Sequence, residues 1–249
     1  MWLGLVWMVH AAEPPAPEAA YGEVLKAAVA SGRVDYDAVT EHRAKLQAAL
    51  DGMAAADVSG WTEPQRLALY INAYNACTLA VVADARVAAG GTLDSIRSLD
   101  GGKVWDTRTC TVAGEALTLN RIEHERVRPL GDARIHAALV CAAAGCPPLS
   151  DTPFVAGRVD AQLTAASQAW VASTAVGFTD NGPAFSEIFK WYTEDFADLA
   201  ASDATGLSVA HQRALGFVRA HAQGARAERL AGAVSTATWA PYDWSLNDR

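Results

Sequence analysis

Charge is scarce in this chain. Asp, Glu, Lys and Arg make up 19% of its 249 residues, and 28 acidic residues outnumber 20 basic ones to leave a net charge of -8. That balance excludes the broad positive field on which nucleic-acid binding depends, and anionic membrane surfaces would repel the chain. The larger aliphatic residues are sparse too, with 21 Leu, 21 Val and only 5 Ile. The 51% hydrophobic composition therefore does not describe a membrane protein, because 53 of those residues are alanine. Alanine favours helices and lets them pack closely. Eight Trp, six Tyr and six Phe supply the bulk that argues against disorder.

The familiar catalytic signatures are missing as well. The chain contains no GxGxxG, no GxxxxGK[ST], no GxSxG and no HExxH; His124-Glu125 is followed by Arg126, Val127 and Arg128, so a second zinc ligand is lacking. These gaps argue against nucleotide enzymes, elbow-type serine hydrolases and helical zinc proteases. No cofactor and no metal are expected.

Residues 1–12 carry an uncharged apolar run, WLGLVWMV, before His10-Ala11-Ala12. This predicts a signal peptide, followed by a Pro/Ala-rich linker over 13–20 and a single domain over 21–249. Export to the periplasm or beyond is the corresponding expectation. Beyond that start no apolar run of spanning length is expected, so the mature chain is read as lacking a membrane span.

Periodicity predicts helices over Tyr21–Ala30 and Tyr36–Ala56, with an extended RVDY segment between them. Thr62, Pro64 and Gln65 form a capping-box start for a nearly all-apolar central helix that ends at Gly90-Gly91. Alternation over Val104–Leu117 around Ala113-Gly114 predicts a hairpin, and Asp180-Asn181-Gly182 marks a second one. Thr118 caps a short helix. Five alanines after Asp132 favour helix over strand for the segment RIHAALVCAAAGCPPL. Helices are further expected over 159–174, after Ser186 and over 207–222, with TATWAPYDWSLND extended. The sum is a mainly α-helical α+β domain with two short hairpins and an extended C-terminal segment.

Cys141 is the candidate nucleophile, since a thiolate reacts readily once a histidine or helix terminus activates it. His136 lies five residues away, which on a helix or a strand points it elsewhere, so His124 is the expected general base. Asn72 and Asn75 share one face of the central helix next to Tyr74. They either satisfy a neighbouring loop backbone or act as orienter and oxyanion donor. Arg128 or Arg134 could hold a substrate carboxylate. Asp243, set among Tyr242 and Trp244, calls for a cationic or hydrogen-bonding partner. The competing reading of Cys141 is a disulfide with Cys146, whose spacing suits neither a thioredoxin-type pair nor a zinc ribbon. Cys77 and Cys110 read as packing residues.

Six ordered blocks give the chain a family likeness: VDYDAV, LYINAYNACTL, LTLNRIEHERVR, DARIHAALVCAAAGCPPL, SEIFKWYTEDF and YDWSLN. With these the chain resembles the family catalogued as domain of unknown function 547. It departs from the usual pattern at Ala137, Thr118 and Asn120. The resemblance implies no established reaction; bacterial members like this one often carry exported N-termini. The functional expectation is a thiol-dependent hydrolase or acyl transferase, papain-like or transglutaminase-like in logic, acting on a small-molecule or peptide substrate. The alternative is a non-enzymatic module binding a small anionic ligand or a protein partner, with Cys141-Cys146 as a structural staple.

Overall fold

The computed structural model describes residues 17–249. The expected leader over 1–12 lies outside the described residues. Of the expected linker over 13–20, residues 17–20 belong to α1 (Pro17–Ala28), and 13–16 lie outside the described residues.

Two-residue strands β1 (Val29–Ala30) and β2 (Arg33–Val34) form a small hairpin. Asp35 then caps α2 (Tyr36–Glu41) by accepting from the Ala38 amide at 2.9 Å. The single helix expected over 36–56 is two, because the chain turns at His42 before α3 (Arg43–Ala54). α4 (Glu63–Ala88) opens with the expected capping box, the Gln65 side chain accepting from the Thr62 amide at 2.8 Å. It closes where Gly90 and Gly91 turn left-handed. α4 is long and apolar enough to cross a bilayer, yet 89% of its most apolar window is buried inside the protein. It is the axis of the fold.

A one-turn helix α5 (Val104–Thr107) precedes the first expected hairpin, β3 (Thr109–Val112) with β4 (Glu115–Thr118). Ala113 and Gly114 both take positive φ there, as a tight hairpin turn requires. Cys77 in α4 and Cys110 in β3 are joined by a disulfide, with Cα atoms 6.2 Å apart. They cross-link two elements instead of merely packing between them.

Thr118 caps α6 (Leu119–Arg121), which continues as a π-helical turn over Ile122–Val127. The helix expected after Asp132 is replaced by one 3-10 turn, Ala133–Ala137, and then by irregular chain. The reason is a set of bonds to a distant part of the chain. Asn75 of α4 donates to the Ala138 carbonyl at 2.8 Å and accepts from the Val140 amide at 2.9 Å. This side-chain amide takes up backbone groups that a helix would have bonded internally.

α7 (Val159–Ala172), the hairpin β5 (Val176–Thr179) and β6 (Gly182–Ser186), α8 (Ile188–Trp191), α9 (Val209–His221) and α10 (Gly224–Ala231) complete the second half. The helix expected after Ser186 is interrupted; α8 passes into a 3-10 segment over Thr193–Leu199. β7 (Thr238–Ala240) adds to β6 in parallel, pairing Phe185 with Trp239.

Two buried clusters result. One gathers α1 to α4, the first hairpin and the segment up to Leu163. The other centres on Trp170, which stacks on Phe189 at 4.7 Å and meets Phe217 edge-on at 5.5 Å. Tyr242, from the extended C-terminal segment, packs against both. The functional candidates lie along that seam.

Candidate functional site

The C-terminal segment fixes the cysteine loop. Ala144 and Gly145 donate to the carbonyls of Ser245 and Asp243 at 2.7 and 2.8 Å, and Asn247 donates to that of Ala142 at 3.0 Å. Gly145 is needed for this approach: a Cβ there would come within 3.1 Å of the Asp243 backbone and the Tyr242 ring. Tyr36 anchors the strap by donating to the Asn247 side chain at 2.8 Å. Ala142, next to Cys141, holds φ at +64° although it is not glycine, a strained conformation of the kind that clusters at functional sites.

Cys141 and Cys146 are joined by a disulfide. The Tyr242 hydroxyl lies over it, 3.3 Å from Cys141 Sγ and 3.2 Å from Cys146 Sγ. Cys146 is buried, whereas Cys141 is half-buried and borders a cavity of about 220 Å³. Tyr74, Glu123 and His136 line the same cavity, with an aromatic wall of Trp105, Trp191 and Trp244.

His136 is the histidine that reaches this cavity. Its ring packs against Tyr192 at 4.3 Å and Phe196 at 5.3 Å, and Nε2 donates to Asp195 Oδ2 at 2.7 Å. With the proton on Nε2, a neutral imidazole carries its lone pair on Nδ1. Asp195 also accepts a two-pronged bond from Arg128, at 2.7 and 2.8 Å. Burial opposes ionisation of Asp195, but the bonds from His136 and Arg128 outweigh it and hold the carboxyl well below the usual aspartate range. Burial, reinforced by the nearby Glu123 charge, raises the Tyr192 hydroxyl well above the ordinary tyrosine value, and burial raises Tyr242 likewise.

The other expected site residues are dispersed. His124 is exposed and accepts at Nδ1 from Arg128 at 2.7 Å, so it belongs to the outer side of the Asp195 cluster and does not line the cavity. Asn72 bonds the loop backbone in both directions, donating to the Phe154 carbonyl at 2.7 Å and accepting from its amide at 2.9 Å. Asn75 does the same at 138–140, immediately before Cys141, so both amides satisfy loop backbone. Arg128 and Arg134 are committed to aspartates; Arg134 clamps Asp132 and Asp160 at 2.7 and 2.8 Å. Asp243 is exposed instead of enclosed, and it accepts from the Ser245 amide and hydroxyl at 2.9 and 2.6 Å. Of the expected residues, the cavity brings together Cys141, Cys146 and Tyr74.

Sequence reasoning missed Glu123, Asp195 and Tyr192, and it set His136 aside. The rotation that excluded His136 holds only for a regular element between 136 and 141, and the chain leaves its 3-10 turn at Ala137. Among the described residues no three His, Cys, Asp or Glu side chains converge as a metal site. Two larger grooves of about 580 Å³ each lie elsewhere; in one of them Arg43 pairs with Asp84.

No curated protein and no solved structure matches the chain. A family model does, described as protein of unknown function, DUF547, over residues 58–171. That stretch includes Tyr74, Glu123, His136, Cys141 and Cys146, while Asp195 and Tyr242 lie beyond it. Over residues 58–171 this chain is thus similar to the DUF547 family.

Proposed function

We propose that the protein is an exported thiol enzyme, a hydrolase or acyl transferase, whose nucleophile is Cys141 and whose general base is His136 oriented by Asp195. The observation that carries this reading is the shared cavity: a half-buried cysteine and a histidine already held by a carboxylate border one small, half-open space. Two disulfides among the described residues support export to an oxidising compartment.

Chemistry starts when a dithiol reductant gives two electrons and two protons to the Cys141-Cys146 bond, becoming a disulfide itself. The Cys141 proton then passes to His136 Nδ1, and the thiolate adds to the substrate acyl carbon. Collapse of the tetrahedral adduct forms a thioester and expels an alcohol or amine, which takes the proton back from His136. Attack by water or an acceptor amine, its proton passing through His136, releases the product and restores the thiol. Asp195 and Arg128 position the imidazole throughout. Tyr242, whose hydroxyl stays protonated, is placed to donate to the thiolate.

A second reading rests on the bridge itself. If Cys141-Cys146 never opens, the same cavity is a ligand-binding site with a stapled wall.

The test is to reduce the protein with dithiothreitol, add p-nitrophenyl acetate and map acetylated residues by mass spectrometry. One acetyl group on Cys141 is expected, absent in Cys141→Ala and formed about 10²-fold or more slowly in His136→Ala. No adduct on Cys141 with its bridge open, or equal rates in His136→Ala, would leave the binding reading in its place.

A further inference from the structure

The cavity beside Cys141 is lined by a buried carboxyl group, Glu123, which bonds the Tyr192 hydroxyl and, among the described residues, has no cation paired to it. Glu123 is only 5% exposed yet lines the cavity, and among the described residues no cationic side chain lies within ion-pair distance of it. A buried carboxylate ordinarily finds a cation or loses stability. The nearest candidate is Arg128, and its guanidinium is already spent: Nε and Nη2 go to Asp195 and Nη1 to His124. Arg128 therefore answers Asp195 and leaves the Glu123 carboxyl without a cation of its own.

The cavity is also lined by a run of touching aromatic rings. Tyr242 and Trp244 lie 4.6 Å apart between centroids, Trp191 meets Tyr242 at 4.8 Å and Trp244 at 5.7 Å, and Trp105 meets Trp244 at 6.0 Å. Trp191 is 45% exposed and lines the cavity. Rings of this cluster already receive one cation, since the Arg97 guanidinium lies 4.7 Å from the Trp244 centroid. Aromatic faces joined to a desolvated carboxylate attract organic cations through the ring quadrupole and through direct charge. At about 220 Å³ the cavity falls below the usual range for ligand sites of roughly 300–1,000 Å³, so it fits a headgroup better than a whole large ligand.

We infer that this cavity binds an alkylammonium group, with Glu123 as counter-ion and Trp244, Trp105 and Tyr242 as the enclosing faces. The inference deepens the thiol-enzyme reading, on which it rests for its claim about substrate: the acyl donor or acceptor presents a cationic amine or quaternary ammonium beside the Cys141 sulfur. As a statement about binding alone it needs no thiol chemistry. Part of Glu123's role is specificity, because a neutral group of the same shape would bring no counter-charge to the carboxylate.

The probe pair is choline and 3,3-dimethyl-1-butanol, which match in shape and differ in charge. Binding is measured by isothermal titration calorimetry on the full chain, without reductant, so that the Cys141-Cys146 bond stays closed. Choline is expected to bind saturably and at least tenfold more tightly than the neutral isostere. Glu123→Gln should abolish that preference, and Trp244→Ala should weaken choline binding at least fivefold. A thermal melt of each variant confirms that it is folded, and the comparison of the two probes on the unaltered protein stands even if a variant is not. Equal affinity for the two probes, or no binding of choline, overturns the inference. Failure here leaves acylation of Cys141 untouched, and failure of acylation leaves ammonium binding untouched.

Discussion

His136 draws its role from a few bonds. Its Nε2 is held by Asp195, and Asp195 is held in turn by Arg128, so the ring cannot swing without breaking a charge-assisted bond. This arrangement leaves a mark on stability. The Asp195 carboxyl titrates below its ordinary value of 3.8 in the folded protein, so its contribution is complete above that range and is lost as pH falls through it toward the lower folded value. Melting temperature measured from pH 2 to 7 should therefore fall less steeply below about pH 4 in Asp195→Asn than in the unaltered protein. Parallel acid limbs would show that the carboxyl is not held as described. Asn75 is legible in the sequence as a buried amide needing partners, and the structure supplies them at Ala138 and Val140. What the sequence does not reveal is that this bracing ends the expected helix and so frees His136 and Cys141 to face one cavity. Glu123 reads as one acidic residue in a charged helix; only the fold buries it.

Elements whose signals are local were legible. The capping box of α4, the Ala113-Gly114 hairpin and the Thr118 cap of α6 all depend on residues within a few positions of one another. Elements that answer to distant partners were not. The segment after Asp132 has an alanine-rich helical composition, yet its backbone bonds go to α4 and to the C-terminal strap. The 3-10 segment Thr193–Leu199, which carries Asp195, is seated on α9 in the same way. Gly216 of α9 makes that seat possible, because a Cβ there would fall 1.5 Å from the Leu199 carbonyl oxygen. Gly216→Ala must push the two elements apart. It should destabilise the protein by about 1–3 kcal/mol in urea unfolding and also slow acylation of Cys141, since Asp195 moves with its segment. Unchanged stability would show that the contact is slack.

At the scale of the whole molecule the protein is two buried clusters tied across a seam by Arg128, His136, Asp195 and Tyr242. The cavity lies on that seam, where neither cluster alone could enclose it. The two disulfides differ in reach. Cys77-Cys110 closes a separation of 33 residues and Cys141-Cys146 one of 5. Loop-closure entropy gives roughly 4 kcal/mol for the first and roughly 2 for the second, so the fold can spare the bond beside the cavity more readily. The overall class, a mainly helical α+β domain, followed from composition and periodicity; the seam did not, because it is built from residues up to about a hundred positions apart. The central claim is that Cys141 is activated by His136 and not by His124. It is tested most directly by opening the Cys141-Cys146 bond with limiting reductant and measuring the alkylation rate of Cys141 by iodoacetamide at pH 7. The rate should be at least tenfold lower in His136→Ala and within about twofold of the unaltered protein in His124→Ala. Equal rates in His136→Ala and the unaltered protein, or a loss confined to His124→Ala, would contradict it.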